Sequence, residues 1–240
     1  MELGVPMRKD SASERAGICG WRRVQRSGSA LAALFLAACS VNSDLERVGG
    51  FLLNSVTGSN AKVSREQAAA VPYATMGLEL GASNQALLIL GTTMGDELDW
   101  FAGENLFVAT KNGRVIRTLG LPYDLGGIQP INTSIVDQNK NLPVPVLSFS
   151  IDFPDLGIFG ATAECSLGNM REESVEILGA PIPTLHVIEH CEVRALKWTF
   201  DNDFWKDRTS GYVWRSRQYV HPKSPPIILE VLRPEENRPN

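Results

Sequence analysis

Turn-forming residues punctuate this chain at short intervals after residue 80, and that spacing restricts most of it to antiparallel β-structure. The clearest signal runs from Asn105 to Thr118. Two strand-like runs, Asn105–Thr110 and Arg114–Thr118, flank Lys111-Asn112-Gly113. Asn-Gly is the pair a tight type I′ turn accepts, because both central positions need positive φ. Ala86–Leu90 is a continuous apolar run ended by Gly91. Further strands are expected at Val146–Phe153, Gly160–Ser166, Ser174–Leu178, Thr184–Phe200, Tyr212–Val220 and Ile227–Leu232. Gly126-Gly127, Asn141–Pro145, Gly168-Asn169 and His221–Pro226 supply turn chemistry between them. Helices are short: Ser64-Arg65-Glu66-Gln67 is a capping-box pattern that opens one through Ala70, and another is expected around Leu45–Leu53. The spacing predicts a mainly β fold laid out as an antiparallel meander.

The amino terminus sets the compartment. Arg22, Arg23 and Arg26 precede an uncharged stretch, Ser27–Ala38, which ends at Cys39. A positive flank, a short apolar run and small terminal residues make a secretory signal, too short for a lasting membrane span. Leu36-Ala37-Ala38-Cys39 resembles the lipobox read by bacterial lipoprotein signal peptidase, which makes Cys39 the expected lipid attachment site. Resemblance to that class implies a three-chain lipid, and two or more chains anchor stably where one does not. Ser40, not Asp, follows the cysteine, which by the sorting rule of enteric bacteria favours the outer membrane, facing the periplasm. The expected organisation is a signal peptide over 1–38, a lipidated tether over 39–63 and one β-rich domain over 64–240. The leader holds six of the 23 basic and three of the 27 acidic residues. The remainder has a formal charge of −7, which disfavours a nucleic-acid-binding face.

Two cysteines remain in the body, Cys165 and Cys191, and in an oxidising compartment they are a candidate disulfide. Leu178-Gly179-Ala180-Pro181 lies near their midpoint, so a hairpin turning there brings them roughly opposite. A metal site from His186, His190 and Cys191 is disfavoured, because along a strand the histidines share one face and the cysteine takes the other. No cofactor or metal set is expected. The segment Trp198–Gln218 holds three of the five tryptophans and reads as strand, turn and strand, with Asp207 and Gly211 in the turn. Beyond that turn Tyr212, Trp214, Ser216 and Gln218 share one face, and Val213, Arg215, Arg217 and Tyr219 the other. Trp205, Trp214, Arg215 and Arg217 are the candidate ligand or partner surface, with core packing the competing reading for the tryptophans. Acid pairs such as Asp201 with Asp207, or Asp96 with Asp99 beside Trp100, would be needed for a glycosidase. Carboxylates in turns more often cap or face water, and no nucleophile elbow or phosphate loop is present, so no enzyme is expected.

Asn202, Phe204-Trp205, Asp207, Gly211, Trp214, Ser216 and Gln218, ending in Leu229-Glu230-Val231-Leu232-Arg233-Pro234, resemble the YjbF/GfcB family of capsule and exopolysaccharide lipoproteins. The segment Asn112–Thr118 with Gly120-Leu121 fits the same family, as does the order of lipobox, tether and β-rich body. The resemblance covers about Val71 to Pro234. It implies that the meander curls into a partly open barrel or half-barrel. It also implies a non-catalytic envelope lipoprotein, an accessory factor in export or assembly of the polysaccharide. Expected partners are the membrane, through lipid on Cys39, and the polymer or export-machinery proteins. The alternative is a lipid or lipoprotein carrier or chaperone with an apolar cavity in the curled sheet. No catalytic residue carries over from the family.

Overall fold

The computed structural model describes residues 61–131 and 146–235. The leader, Cys39 and the helix expected around Leu45–Leu53 lie outside the described residues. Helix α1 (Arg65–Ala70) begins as the sequence dictates: Ser64 Oγ accepts the Gln67 N–H, and Gln67 Oε1 accepts the Ser64 N–H. The segment read as tether is already packed at its end, since Ala61 N–H donates to Asn84 and Val63 N–H to Gln85.

Twelve strands follow among the described residues: β1 (Thr75–Leu80), β2 (Ala86–Met94), β3 (Glu97–Ala102), β4 (Leu106–Lys111), β5 (Arg114–Leu119), β6 (Gly127–Ile131), β7 (Val146–Phe153), β8 (Ile158–Ile177), β9 (Ala180–Val193), β10 (Trp198–Lys206), β11 (Val213–Gln218) and β12 (Ile227–Arg233). They form one antiparallel sheet in the order β5-β4-β3-β2-β1-β12-β11-β10-β9-β8-β7-β6, curled until it nearly closes into a barrel. The first strand pairs with the last, so among the described residues the sheet's edges are β5 and β6. An open edge exposes unpaired backbone groups and invites aggregation. Here side chains from the facing wall occupy the β5 edge: Gln218 of β11 accepts the Val115 N–H at 3.0 Å and donates to Gly113 O at 2.9 Å. Asn112 and Gly113 both take positive φ, 51° and 78°, as the turn requires. Gly113 is also needed for space, because a Cβ there would lie 2.4 Å from the Val213 side chain.

Inward-facing residues fill the barrel. Leu78, Leu80, Leu88, Trp100, Val108, Val115, Phe153, Val193 and Ile227 are all essentially inaccessible to solvent. Trp100 satisfies its buried indole N–H on Thr110 Oγ1 at 3.0 Å. A second, smaller cluster joins Val175, Ile177 and Trp205. Its origin is one extra residue in β8 between Leu167 and Met170, opposite Glu189 to Val187 of β9. A one-residue bulge swaps the faces of everything beyond it. Cys165 therefore points into the barrel, while Val175 and Ile177 point outward to meet Trp205.

Most expected strands are present, with three corrections. Gly168-Asn169 is that bulge within one continuous strand and not a turn. The run Thr184–Phe200 is broken at Arg194–Lys197 by a 3-10 turn in which Lys197 adopts φ 50°, a conformation its sequence does not announce. Strands β1, β3 and β6 were not expected, because Gly77, Asp99 and Pro130 interrupt their patterns. Gly77 is required where it stands, since a Cβ would lie 2.4 Å from the Gln85 side chain.

Candidate functional site: an aromatic and acidic groove beside β10

Strands β9, β10 and β11 carry polar residues on both faces, and the two faces differ in kind. Inside the barrel, Arg114 from β5 reaches Glu189 of β9 with both guanidinium nitrogens, at 2.9 and 2.5 Å. Glu189 is 1% exposed. Asn202 donates to the same carboxylate at 3.1 Å and accepts the Tyr219 N–H at 2.9 Å. Arg114 also lies over the rings of Phe149 and Phe204. Burial, with the nearby Arg114 charge, holds the Lys206 ammonium below its ordinary value, opposed by Glu189. Cys165 and Cys191 stand directly opposite each other in the β8–β9 register, with their sulfurs 2.11 Å apart, at bonding distance. Near this network the interior space has a volume of about 20 Å³. That is room for about one water molecule, and an acyl chain has no place in it.

The outward face is different. His190 Nδ1 meets Asp201 at 2.6 Å, with both side chains more than half exposed. Arg217 donates to Asp203 at 3.3 Å and to the Tyr219 hydroxyl at 3.1 Å. His186 sits between Asp203 (2.7 Å) and Glu173 (3.1 Å), stacked on Trp205 at 4.5 Å.

A groove of about 720 Å³ opens beside the first half of β10. Among the described residues β11 pairs with β10 only from Asp203 to Lys206, which leaves Trp198–Asn202 without a strand partner on that side. Three aromatic residues line it. Trp198 stacks on Phe200 at 4.0 Å, and Phe200 lies 6.1 Å from Tyr219. Glu164, Ser166, His190, Glu192 and Asp201 line it from the outward face of the sheet, with Arg217 at the Tyr219 end, while Trp198 and Phe200 belong to the inward-facing side of β10 and pack against the core. Arg194 ties two of the acids, Glu164 at 2.5 Å and Glu192 at 3.4 Å.

Of the four residues expected as a ligand or partner surface, Trp205, Trp214 and Arg215 are brought together and Arg217 stands apart. Trp205 is buried in the outer cluster, 9% exposed, under the Arg215 guanidinium. Arg215 approaches the buried Glu230 at 3.5 Å, beside Lys62 at 3.0 Å. Trp214 is half-buried against Tyr212 and both clusters. Arg217 alone lines the groove. The acid pairs also serve other ends. Asp207 accepts from Thr209 N–H, Ser210 N–H and Ser210 Oγ, and those bonds hold its carboxyl below the usual range. Asp96 is held down likewise by Lys111. Sequence reasoning missed Trp198, Phe200 and His190 as groove residues. Their i, i+2 spacing was visible, but the break in β11 pairing that exposes them was not.

The sequence model described as "Group 4 capsule polysaccharide lipoprotein gfcB, YjbF" matches residues 31–232. The chain is 25% identical over 207 residues to the uncharacterized lipoprotein GfcB of Escherichia coli K12, covering 84% of this chain and 95% of that one. The crystal structure of the hypothetical lipoprotein YmcC from the same organism shares the fold, with a TM-score of 0.54 at 21% identity, over 83% of this chain and 98% of that one. The span of the family match decides the assignment: this chain belongs to the YjbF/GfcB family of group 4 capsule polysaccharide lipoproteins.

Proposed function

We propose that this chain is a non-catalytic envelope lipoprotein, lipidated on Cys39 and facing the periplasm from the outer membrane, that acts as an accessory factor in export or assembly of a capsule or exopolysaccharide. The observation that carries this reading is the extent of the family match. It begins at residue 31, within the apolar stretch, and so takes in Cys39 together with nearly all of the β body. The Cys165–Cys191 pairing supports a body that matures in an oxidising compartment. In this reading the barrel is a rigid scaffold presenting its outward face to the polymer or to export-machinery proteins, and it runs no reaction of its own.

Deletion of the gene should lower surface polysaccharide while sugar-nucleotide pools stay normal, and unchanged surface polymer would refute the assignment to the pathway. Cys39→Ala should abolish labelling by radioactive palmitate and move the protein from the membrane to the soluble fraction. Undiminished labelling in that variant would place the lipid elsewhere.

A further inference from the structure

We propose that the groove beside β10 is a binding site for an uncharged saccharide chain, a role that rests on the polysaccharide reading above and gives it a location. Three features of the groove select that chemistry. The first is a run of aromatic side chains, Trp198, Phe200 and Tyr219, whose centroid spacings of 4.0 and 6.1 Å make a continuous apolar side. Sugar rings present flat C–H faces that pack on such surfaces, and aromatic contacts do so at low entropic cost because the rings are already packed.

The second feature is hydrogen-bonding capacity on the outward face, along the same stretch of β10. The exposed pair His190 and Asp201 offers a carboxylate acceptor and a ring nitrogen, since only Nδ1 is engaged with Asp201. Ser166 and the unpartnered side of Trp198–Asn202 add hydroxyl and backbone groups. A sugar hydroxyl both donates and accepts, so a mixed set of this kind suits it.

The third feature is charge. Glu164, Glu192 and Asp201 line the groove, while Arg217 is already held by Asp203 and Arg194 is shared between two of the acids. A polyanion such as a uronic acid polymer meets net repulsion there, whereas an uncharged chain does not. A volume of about 720 Å³ lies within the usual range for ligand sites, roughly 300–1,000 Å³. The groove runs along a strand edge, a shape that suits a chain.

The test is isothermal titration of the full-length lipidated protein in detergent with a neutral β-1,4-glucose hexasaccharide, and separately with a hexasaccharide of galacturonic acid. The expected result is saturable binding of the neutral probe and binding of the acidic one weaker by about tenfold or more. Asp201→Asn and His190→Gln change exposed side chains, so the fold should survive, and each should weaken the neutral probe several-fold. Phe200→Leu should weaken it by about tenfold, with an unchanged thermal melt as the check on folding. Equal or tighter binding of the acidic probe overturns the charge argument, and no binding of either overturns the site. Cells separate this proposal from the pathway assignment. If deletion lowers surface polymer but the Asp201→Asn and Phe200→Leu variants restore it fully and the probes do not bind, the groove fails and the pathway stands. If the probes bind but deletion leaves polymer unchanged, the pathway fails and the groove stands.

Discussion

The inward and outward polar networks of β9 to β11 use similar residues for opposite ends. Glu189 and His190 are neighbours in sequence, yet one is sealed in the barrel against Arg114 and the other sits in solvent against Asp201. Strand alternation alone separates them. Inside, each charge is desolvated, so its partners must be fixed; Glu189 has Arg114 and Asn202, and Asn202 passes the order on to Tyr219. Outside, water screens the charges and the same kind of pair contributes little to stability. Residues freed from a folding role are the ones available for binding, which is why the groove is built on the outward pair and the inward one closes the barrel.

The comparison breaks most sharply at Glu189. Glu189→Ala leaves Arg114 and Lys206 in the barrel without a counter-charge, and such a change costs about 3–5 kcal/mol. Denaturant unfolding should show that loss, and a cost below about 1 kcal/mol would mean water reaches the pair. Arg114→Met combined with Glu189→Leu should recover most of the stability, because exchanging both partners for apolar groups removes the desolvation cost with the attraction.

Next in size is the cross-strand pair one position along the inward face. Cys191 Sγ lies 3.5 Å from Glu189, and the bond to Cys165 closes a 26-residue separation. Chain-entropy reasoning puts its stabilisation at about 3 kcal/mol. Cys165→Ala with Cys191→Ala should lower the urea midpoint correspondingly, and reductant should then change nothing further. An unchanged midpoint on reduction of the parent protein would mean that the pair contributes nothing to stability.

These two effects also mark how far the sequence could be read. The Asn112-Gly113 turn was legible because positive φ demands particular residues, and Gly179 marked the turn that sets Cys165 opposite Cys191, although Leu178 beside it also takes a positive φ. The facing of Arg215 and Arg217 against Ser216 and Gln218 followed from alternation. The partner of Arg114 was not legible, since β5 and β9 are far apart in the chain and meet only when the sheet curls. Trp205 could be read either as a surface or as a core aromatic, because the β8 bulge that brings Val175 and Ile177 over it depends on register, and Gly168-Asn169 reads equally well as a turn. The groove was hidden for a similar reason: it is made by where a pairing stops.

His221 lies between the two networks in kind, buried like Glu189 yet with a ring that can take up a proton. Its Nδ1 accepts the Lys223 N–H, so the proton sits on Nε2, 3.1 Å from Asp155, and the ring stacks on Tyr123. Burial pushes its pKa below the ordinary 6.5, with Asp155 opposing. A depressed folded value means the unfolded chain takes up the proton first as pH falls. The stability from the neutral ring is therefore present above about pH 6.5 and is lost as pH falls through the folded value. Melting temperature should decline between pH 7 and 5, and His221→Asn should flatten that part of the profile. An unaltered slope in the variant would assign the decline to carboxylates.

The smallest effect should come from the outward pair. His190 and Asp201 are 53% and 56% exposed, so their 2.6 Å hydrogen bond competes with water and gains little once side-chain entropy is counted. His190→Gln and Asp201→Asn should each change unfolding stability by no more than about 0.5 kcal/mol. A larger loss, approaching that of Glu189→Ala, would mean that the outward pair also supports the fold. The division of labour between the two faces would then collapse, because a residue the fold depends on is not free to exchange its partner for a ligand. A negligible loss together with weakened saccharide binding separates the faces as alternation first divided them, with the inward charge holding the barrel shut and the outward one left for what the barrel meets.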